Sequence, residues 1–425
     1  MKILMVNYRY FVSGGPERYM FNVMDALRTQ GHEVTPFSIR YAWNRPTPYG
    51  SYFVDPLGEE NELTFREQKL TGKSLWRTFS RLVYASDVER AVRKIIEVSQ
   101  SEVGFVLHYL RKLSPSVLVG LKKAGLPIVV RLSDYAMLCP QTHCLRGGVP
   151  CELCVRGRLW PSVRFRCVQN SLTISALNAL ATWYHRFRQY FDLVDVFVTT
   201  NPFMYKLMMS AGFSEERIRC IPTFVDLPRL GPGPNLAKGS YMAYVGRLEA
   251  IKGVHILVDA LARLRERRPD LDISLKIAGT GKKDYSDSLV QKIEKNDLRE
   301  RVEFLGELGL EEVSSLLHQA YLCVVPALIY ENLPNVVLES YACGTPVVAS
   351  NLGSLAECVS HGETGYLFRT GDASDLAKIL EHCFEHPQEV AMISRQAKNR
   401  AETVYSPGKH VERLESLFTD LLTGK

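Results

Sequence analysis

The chain lacks the strong basic excess of a nucleic-acid reader: 52 lysines and arginines stand against 46 aspartates and glutamates, a formal net charge of +6. So mild a balance suits anionic ligands or a lipid surface without demanding nucleic acid. A long apolar start is also missing. The opening MKILMVN turns polar at once, so it reads as neither a signal peptide nor a membrane span and implies a chain made and kept in the cytoplasm. No short internal repeat and no low-complexity segment interrupts the text. The first glycine loop carries no G-x-G-x-x-G fingerprint, which weakens a nicotinamide cofactor. Cysteine is not scarce, but its ten residues form no secreted-type framework: five crowd between Cys139 and Cys167, and the others sit singly in apolar runs. That pattern favours reduced thiols and one local site.

What is present is enough apolar material for two cores, 46% of 425 residues. Short β-branched runs alternate with helical patterns. In the first half these are Ile3 to Val6, a helix from Pro16 to about Arg28, HEVTPFS, EVGFVLH, PIVVRLS and DVFVTT. After a Pro- and Gly-rich stretch the alternation resumes with YMAYVG, a helix from Val254 to Arg265, DISLKIAG, a helix near Asp284 to Lys295, VEFLG, YLCVVP, TPVVAS and TGYLF. Strand and helix in series predict an α/β protein with two doubly wound, Rossmann-like domains. The boundaries read from the text are an N-terminal domain over 1–221, a linker over 222–240, a C-terminal domain over 241–404 and a last amphipathic helix over 405–425, expected to pack back toward the N-terminal domain. Open α/β sheets bind ligands outside the carboxyl ends of their strands, so function is sought in strand-to-helix loops, with a cleft expected between the domains.

Three loops carry chemistry. In NYRYFVSGGPERYMF, Gly14 and Gly15 precede Pro16 and a helix, an arrangement that lets backbone N–H groups face an anion. In YVGRLEAIKGVHILVDAL, Arg247 and Lys252 follow a strand and stand before a helix, which suits a diphosphate. In ALIYENLPNVVLESYACGTPVVAS, the N–H groups of Asn335, Val336 and Val337 open a helix, with Glu331 before it and Glu339 a turn beyond. A carboxylate repels phosphate but accepts strongly from hydroxyls. Two carboxylates flanking a helix start therefore fit a ligand with a diphosphate in the middle and a hydroxyl-rich sugar at each end.

Together YVGRLEAIKG, IAGTGKK, VEFLGEL and ENLPNVVLESYACGTPVVASNLGSLAE, with its E-x7-E, resemble the retaining glycosyltransferases of family 4, which have the GT-B fold. The resemblance covers nearly the whole chain and is most specific in its C-terminal part. It implies that Glu331 holds the donor sugar hydroxyls, Glu339 the ribose, and Arg247 and Lys252 the diphosphate, while Gly15 closes on the phosphate. Asn332, Leu333, Pro334, Asn335 and Val336 would form the sugar and phosphate loop. It also implies no catalytic divalent cation, a nucleotide diphosphate sugar as donor, and a glycan or lipid-diphosphate-linked acceptor, with a place in surface polysaccharide synthesis such as lipopolysaccharide. One departure stands out. Where many relatives carry His-Asp, this chain has Ser133 and Asp134, so the contribution to the anomeric centre passes to Ser133 or to His108 on the neighbouring strand end. The rival readings are a catalytically silent nucleotide-sugar binder and, with both glutamates left unexplained, a nucleic-acid module.

In the cysteine cluster, Cys151 and Cys154 form C-x2-C, and Cys139 and Cys167 would complete a tetrahedral set suited to structural zinc; buried thiols or a redox pair are the other readings. Around it, RGRLWPSVRFRC and YHRFRQYF interleave arginine with aromatics, a bias that suits anionic lipid and peripheral membrane contact. A similar bias in KSLWRTFSRLVYASDVERAVRKI is read as helices with solvated basic faces.

Overall fold

The computed structural model describes residues 1–57, 81–225, 239, 241–332 and 334–424. The chain divides into two compact units. The first comprises Met1–Gly147, Cys151–Ile221 and Val411–Lys425, the second Gly148–Pro150 and Pro222–His410. Most of the expected linker, residues 226–238 and 240, lies outside the described residues, as does the front of the KSLWRTF stretch.

The first unit runs β1 (Lys2–Asn7), α1 (Gly15–Thr29), β2 (Glu33–Phe37), α2 (Ser86–Ser99), β3 (Val103–His108), α3 (Ser116–Lys123) and β4 (Ile128–Arg131). Then follow α4 (Trp160–Arg164), α5 (Leu172–Phe187), β5 (Val196–Thr199), α6 (Pro202–Ser210) and β6 (Ile218–Cys220). Its strands are parallel in the order β2-β1-β3-β4-β5-β6. Each of the inner strands is buried along nearly its whole length, which is why these runs read as continuous apolar text rather than alternating. Helices cover them with one apolar stripe: α2 buries Val88, Val92, Ile95 and Ile96 and leaves its arginines to solvent.

The second unit runs β7 (Tyr241–Val245), α7 (Val254–Arg267), β8 (Ser274–Ala278), α8 (Lys283–Lys295), β9 (Val302–Gly306), α9 (Leu310–Gln319) and β10 (Leu322–Val325). It continues with α10 (Asn335–Ala342), β11 (Val347–Ser350), α11 (Ser354–Cys358), β12 (Gly365–Phe368), α12 (Ala373–Glu385) and α13 (Pro387–Val404). Its parallel order is β9-β8-β7-β10-β11-β12. Two cores sandwich this sheet: one gathers Leu257, Leu261, Ile277, Val324 and Leu380, the other Leu317, Cys323, Val325, Val337 and Tyr341. The last helix, α14 (Pro407–Thr423), places Phe418 against Phe105 of β3, ring centroids 5.5 Å apart. Each unit is thus a Rossmann-like doubly wound sheet, and each has a point where strand order reverses: β1/β3 in the first, β7/β10 in the second.

Candidate functional site

In the second unit the loops leaving β7 and β10 meet at the reversal point, where an open α/β sheet offers a crevice. After β7 the chain makes a single turn over Ala250–Lys252 and reaches Gly253 at φ +74°. A Cβ there would sit 1.8 Å from the carbonyl oxygen of Pro326, so only glycine lets the two loops touch backbone to backbone. Leu328 N–H seals the contact by donating to the Ile251 carbonyl at 2.9 Å.

This contact sets Lys252 beside the loop after β10. Its Nζ lies 2.5 Å from Glu331 Oε1, with the two side chains only 19% and 14% exposed. Ser354, opening α11, donates to the Glu331 carbonyl at 2.5 Å and fixes the backbone that carries the carboxylate. Tyr244 sits beneath: burial, and then the Glu331 charge, push its phenol well above the usual range, and its hydroxyl donates to the Arg247 carbonyl at 2.9 Å. Arg247 itself does not join the pair. Its guanidinium is 69% exposed and holds Glu249 at 2.9 Å.

Helix α10 begins at Asn335, with Pro334 as a cap that offers no side-chain acceptor and no acidic residue in the first turn. Val337 N–H is taken by the Pro334 carbonyl at 3.1 Å, so among the described residues the open donors are Asn335 and Val336 rather than all three. Asn332 and Pro334 precede this start, Leu333 lies outside the described residues, and Glu339 is buried on the helix. A cation, a helix start and a carboxylate converge here: the first two suit an anion, the third a hydroxyl.

In the first unit, α1 opens at Gly15 with Pro16 in its first turn, and Gly14 is an extended cap without a side chain. The same turn carries a buried carboxylate, Glu17, which accepts from Ser13 Oγ at 3.0 Å; Ser13 Oγ accepts from Arg9 Nη1 at 2.7 Å. Local charge at this helix start is therefore already balanced by Glu17, and Arg9 lies 3.9 Å from it.

The ends of β3 and β4 carry the second constellation. His108 Nε2 is 3.5 Å from Asp134 Oδ2, and Ala136 N–H donates to Asp134 Oδ1 at 2.8 Å. Burial favours the neutral acid, but His108 and the Ala136 N–H outweigh it and hold the Asp134 carboxyl below its ordinary value. The other ring nitrogen, His108 Nδ1, is buried without a partner among the described residues, as is the Tyr109 hydroxyl. Ser133 is occupied differently: its Oγ accepts from Arg131 Nη1 at 2.8 Å, and Arg131 is buried over the Tyr19 ring at 3.7 Å. His108 and Asp134 thus form a His-Asp pair drawn from two neighbouring strand ends. Sequence reasoning placed His108 on a neighbouring strand end but missed the pairing. The signal was register: Val106 opposite Val130 brings His108 level with Leu132, two residues from Asp134.

The cysteine cluster also folds together. Cys139, Cys151, Cys154 and Cys167 line one small cavity with Pro161 and Phe165. A hydrogen bond from the Cys144 thiol lowers the Cys139 pKa, while the same contact and burial push Cys144 up. Among the described residues no group of three or more His, Cys, Asp or Glu is arranged to hold a metal ion.

Comparison with known proteins adds the following. Residues 239–386 match the family model "Glycosyl transferases group 1", a stretch that includes Arg247, Lys252, Glu331 and Glu339. A glycogen synthase of Mycobacterium tuberculosis is 38% identical over 173 residues, 41% of this chain and 39% of that protein. A D-inositol 3-phosphate glycosyltransferase of Pseudarthrobacter chlorophenolicus is 32% identical over 209 residues, 46% of this chain and 49% of that protein. The chain therefore spans less than half the length of these curated relatives. Among solved structures, a sucrose-phosphate synthase from Thermosynechococcus elongatus superposes with a TM-score of 0.73 at 18% identity, each chain covered completely. Anabaena Alr3699/HepE in complex with UDP and glucose gives a TM-score of 0.65 at 20% identity, covering 99% of both chains. The fold is that of GT-B glycosyltransferases.

Proposed function

We propose that this chain moves a sugar from a nucleotide diphosphate sugar to a hydroxyl of a glycan or lipid-linked acceptor, with retention at the anomeric carbon, during synthesis of a surface polysaccharide or lipid-linked glycan. The observation that carries the reading is the Lys252–Glu331 pair at the reversal point of the second unit, beside the open start of α10 and inside the matched segment. The relatives' names and the UDP and glucose in the Anabaena complex support a sugar nucleotide as the ligand class.

In this reading the second unit holds the donor. The Lys252 ammonium has three protons, so it can keep Glu331 and bind a phosphate oxygen at once. Fixed positive charge from Lys252, Arg247 and the α10 N-terminus stabilises the departing diphosphate without a divalent cation. Glu331 accepts from donor sugar hydroxyls, and Glu339 from the ribose. The loop Asn332 to Val336 supplies backbone donors. Acceptor binding belongs to the first unit, where His108, oriented by Asp134, stands in for the histidine that Ser133 replaces. Front-face transfer, with the leaving phosphate taking the acceptor proton, asks little of a side-chain base, so Ser133 does not make the chain a silent binder.

The test is a screen of UDP-, GDP- and ADP-sugars by thermal shift and slow donor hydrolysis, with Lys252→Ala and Glu331→Ala alongside. One donor should stabilise and be hydrolysed by the parent protein only. No response to any donor overturns the proposal.

A further inference from the structure

Helix α5 is amphipathic the wrong way round for a helix that only covers a core. Its inward face is small or polar: Ser175, Asn178, Ala179, Ala181, Thr182 and His185 are buried. Its large apolar residues point to solvent instead, with Leu177 46%, Leu180 56%, Trp183 51% and Phe187 67% exposed. Their spacing of three, three and four residues makes one stripe along the helix. Trp183 and Phe187 stack at 5.2 Å between ring centroids, so the end of the stripe is a preformed aromatic surface.

The neighbouring turn extends the patch. Trp160, the first residue of α4, is 59% exposed and Phe165, just after it, 42%, and α4 packs on α5. Arg146 lies over the Phe165 ring at 4.5 Å and Arg164 over the Trp160 ring at 5.8 Å. Charge here is strongly basic, with the exposed Glu152 as the acid at its edge. Between Leu153 and Phe191 the sequence holds no aspartate or glutamate, while Arg156, Arg158, Arg164, Arg166, Arg186 and Arg188 all fall within it. Exposed large apolar residues on two packed helices mark an interaction surface, and a surface that pairs an apolar stripe with an excess of arginines selects an anionic, apolar partner.

The helix is also anchored as a platform. Ser171 caps its start through the Ile174 N–H at 3.4 Å, His185 Nε2 donates to the Leu82 and Val83 carbonyls at 3.0 and 3.2 Å, and Arg186 Nη2 reaches the Met137 carbonyl at 3.1 Å. The small inward side chains let α5 lie close to the unit while its bulky face stays outward. No described helix is long and apolar enough to cross a membrane.

We infer that the α4–α5 face of the first unit docks on the surface of an anionic lipid bilayer. Leu177, Leu180, Trp183 and Phe187 enter the headgroup boundary while the arginines meet lipid phosphates. This contact is independent of donor binding in the second unit.

The experiment is sedimentation of the full chain with vesicles of phosphatidylglycerol and phosphatidylcholine in equal parts, and with phosphatidylcholine alone. A Trp183→Ser/Phe187→Ser variant and an Arg158→Gln/Arg164→Gln/Arg166→Gln variant are run beside it, with circular dichroism to show that both are folded and light scattering for mass. The expected result is salt-sensitive binding to the anionic vesicles, with partitioning reduced by more than about tenfold in each variant and on neutral vesicles. Absence of binding to anionic vesicles, or equal binding by the folded aromatic variant, overturns the inference. So does a dimer that the Trp183→Ser/Phe187→Ser change dissociates, because the stripe is then a contact between two copies.

Discussion

His108 and Asp134 come from the ends of neighbouring parallel strands and meet with Nε2 3.5 Å from Oδ2. The carboxylate fixes which ring nitrogen carries the proton and leaves Nδ1 with no partner among the described residues. If the pair acts as a unit in transfer, its members are not additive. His108→Gln and Asp134→Asn should each lower turnover by about tenfold to a hundredfold, and the double variant should be no worse than the weaker single. Initial rates under saturating donor check this. Additive losses would make the two residues independent. Ser133→Ala, by contrast, removes only the acceptor that Arg131 uses and should leave turnover within about threefold.

The Lys252–Glu331 pair invites a charge swap. Lys252→Ala should reduce donor turnover by about 10² to 10³, the scale for losing one group that stabilises developing negative charge. Removing one partner of a half-buried pair also strands the other, so melting temperature should fall as well. Lys252→Glu/Glu331→Lys restores opposite charges, and should recover much of the lost melting temperature while leaving turnover near the level of Lys252→Ala. Recovery of both would reduce the pair to a structural brace.

Much of this architecture was legible because local chemistry and tertiary demand agree. Buried parallel strands such as VGFVLH and LCVV read as apolar runs, and YENLPNVV announced a loop and a helix start that the structure places at Asn335. What was not legible depends on pairing across sequence. Nothing near Lys252 names Glu331, 79 residues away, and nothing near Ser133 says that its hydroxyl answers Arg131 while His108 answers Asp134. The α10 donor set was overcounted by one because Pro334's carbonyl takes Val337 N–H, a turn closure invisible in residue types. The arginine and aromatic bias near Trp160 was visible, yet its outward direction follows only from which face of α5 is buried.

Gly253 offers a test of loop geometry separate from charge. Its positive φ and its approach to the Pro326 carbonyl both forbid a side chain, whereas Gly31 has φ +85° with nothing within 4 Å of the place a methyl group would take. Gly31→Ala should therefore cost only backbone strain, about 1 kcal/mol. Gly253→Ala must also separate two loops, so about 3 kcal/mol or more is expected, together with loss of donor-induced stabilisation. Urea midpoints of the two variants, with and without the donor found in the screen, decide it.

His185 supplies a pH dependence with a defined sign. Burial lowers its pKa from 6.5 to about 4, although the Leu82 and Val83 carbonyls oppose the shift. The unfolded chain takes up this proton near its ordinary value, while the folded chain refuses it until near 4, so the unfolded state binds more protons in that window. Stability contributed by this site is full above pH 6.5 and is lost as pH falls toward 4. At about 1.4 kcal/mol per unit the loss is about 3 kcal/mol. Many carboxylates titrate over the same range, so the useful quantity is the difference from His185→Gln, whose amide can donate to the same carbonyls but does not titrate. Between about pH 7.5 and 4.5 the parent should lose most of that ~3 kcal/mol relative to the variant in urea unfolding. Parallel curves would mean that His185 becomes charged in the folded protein, which its two carbonyl contacts would then have to support.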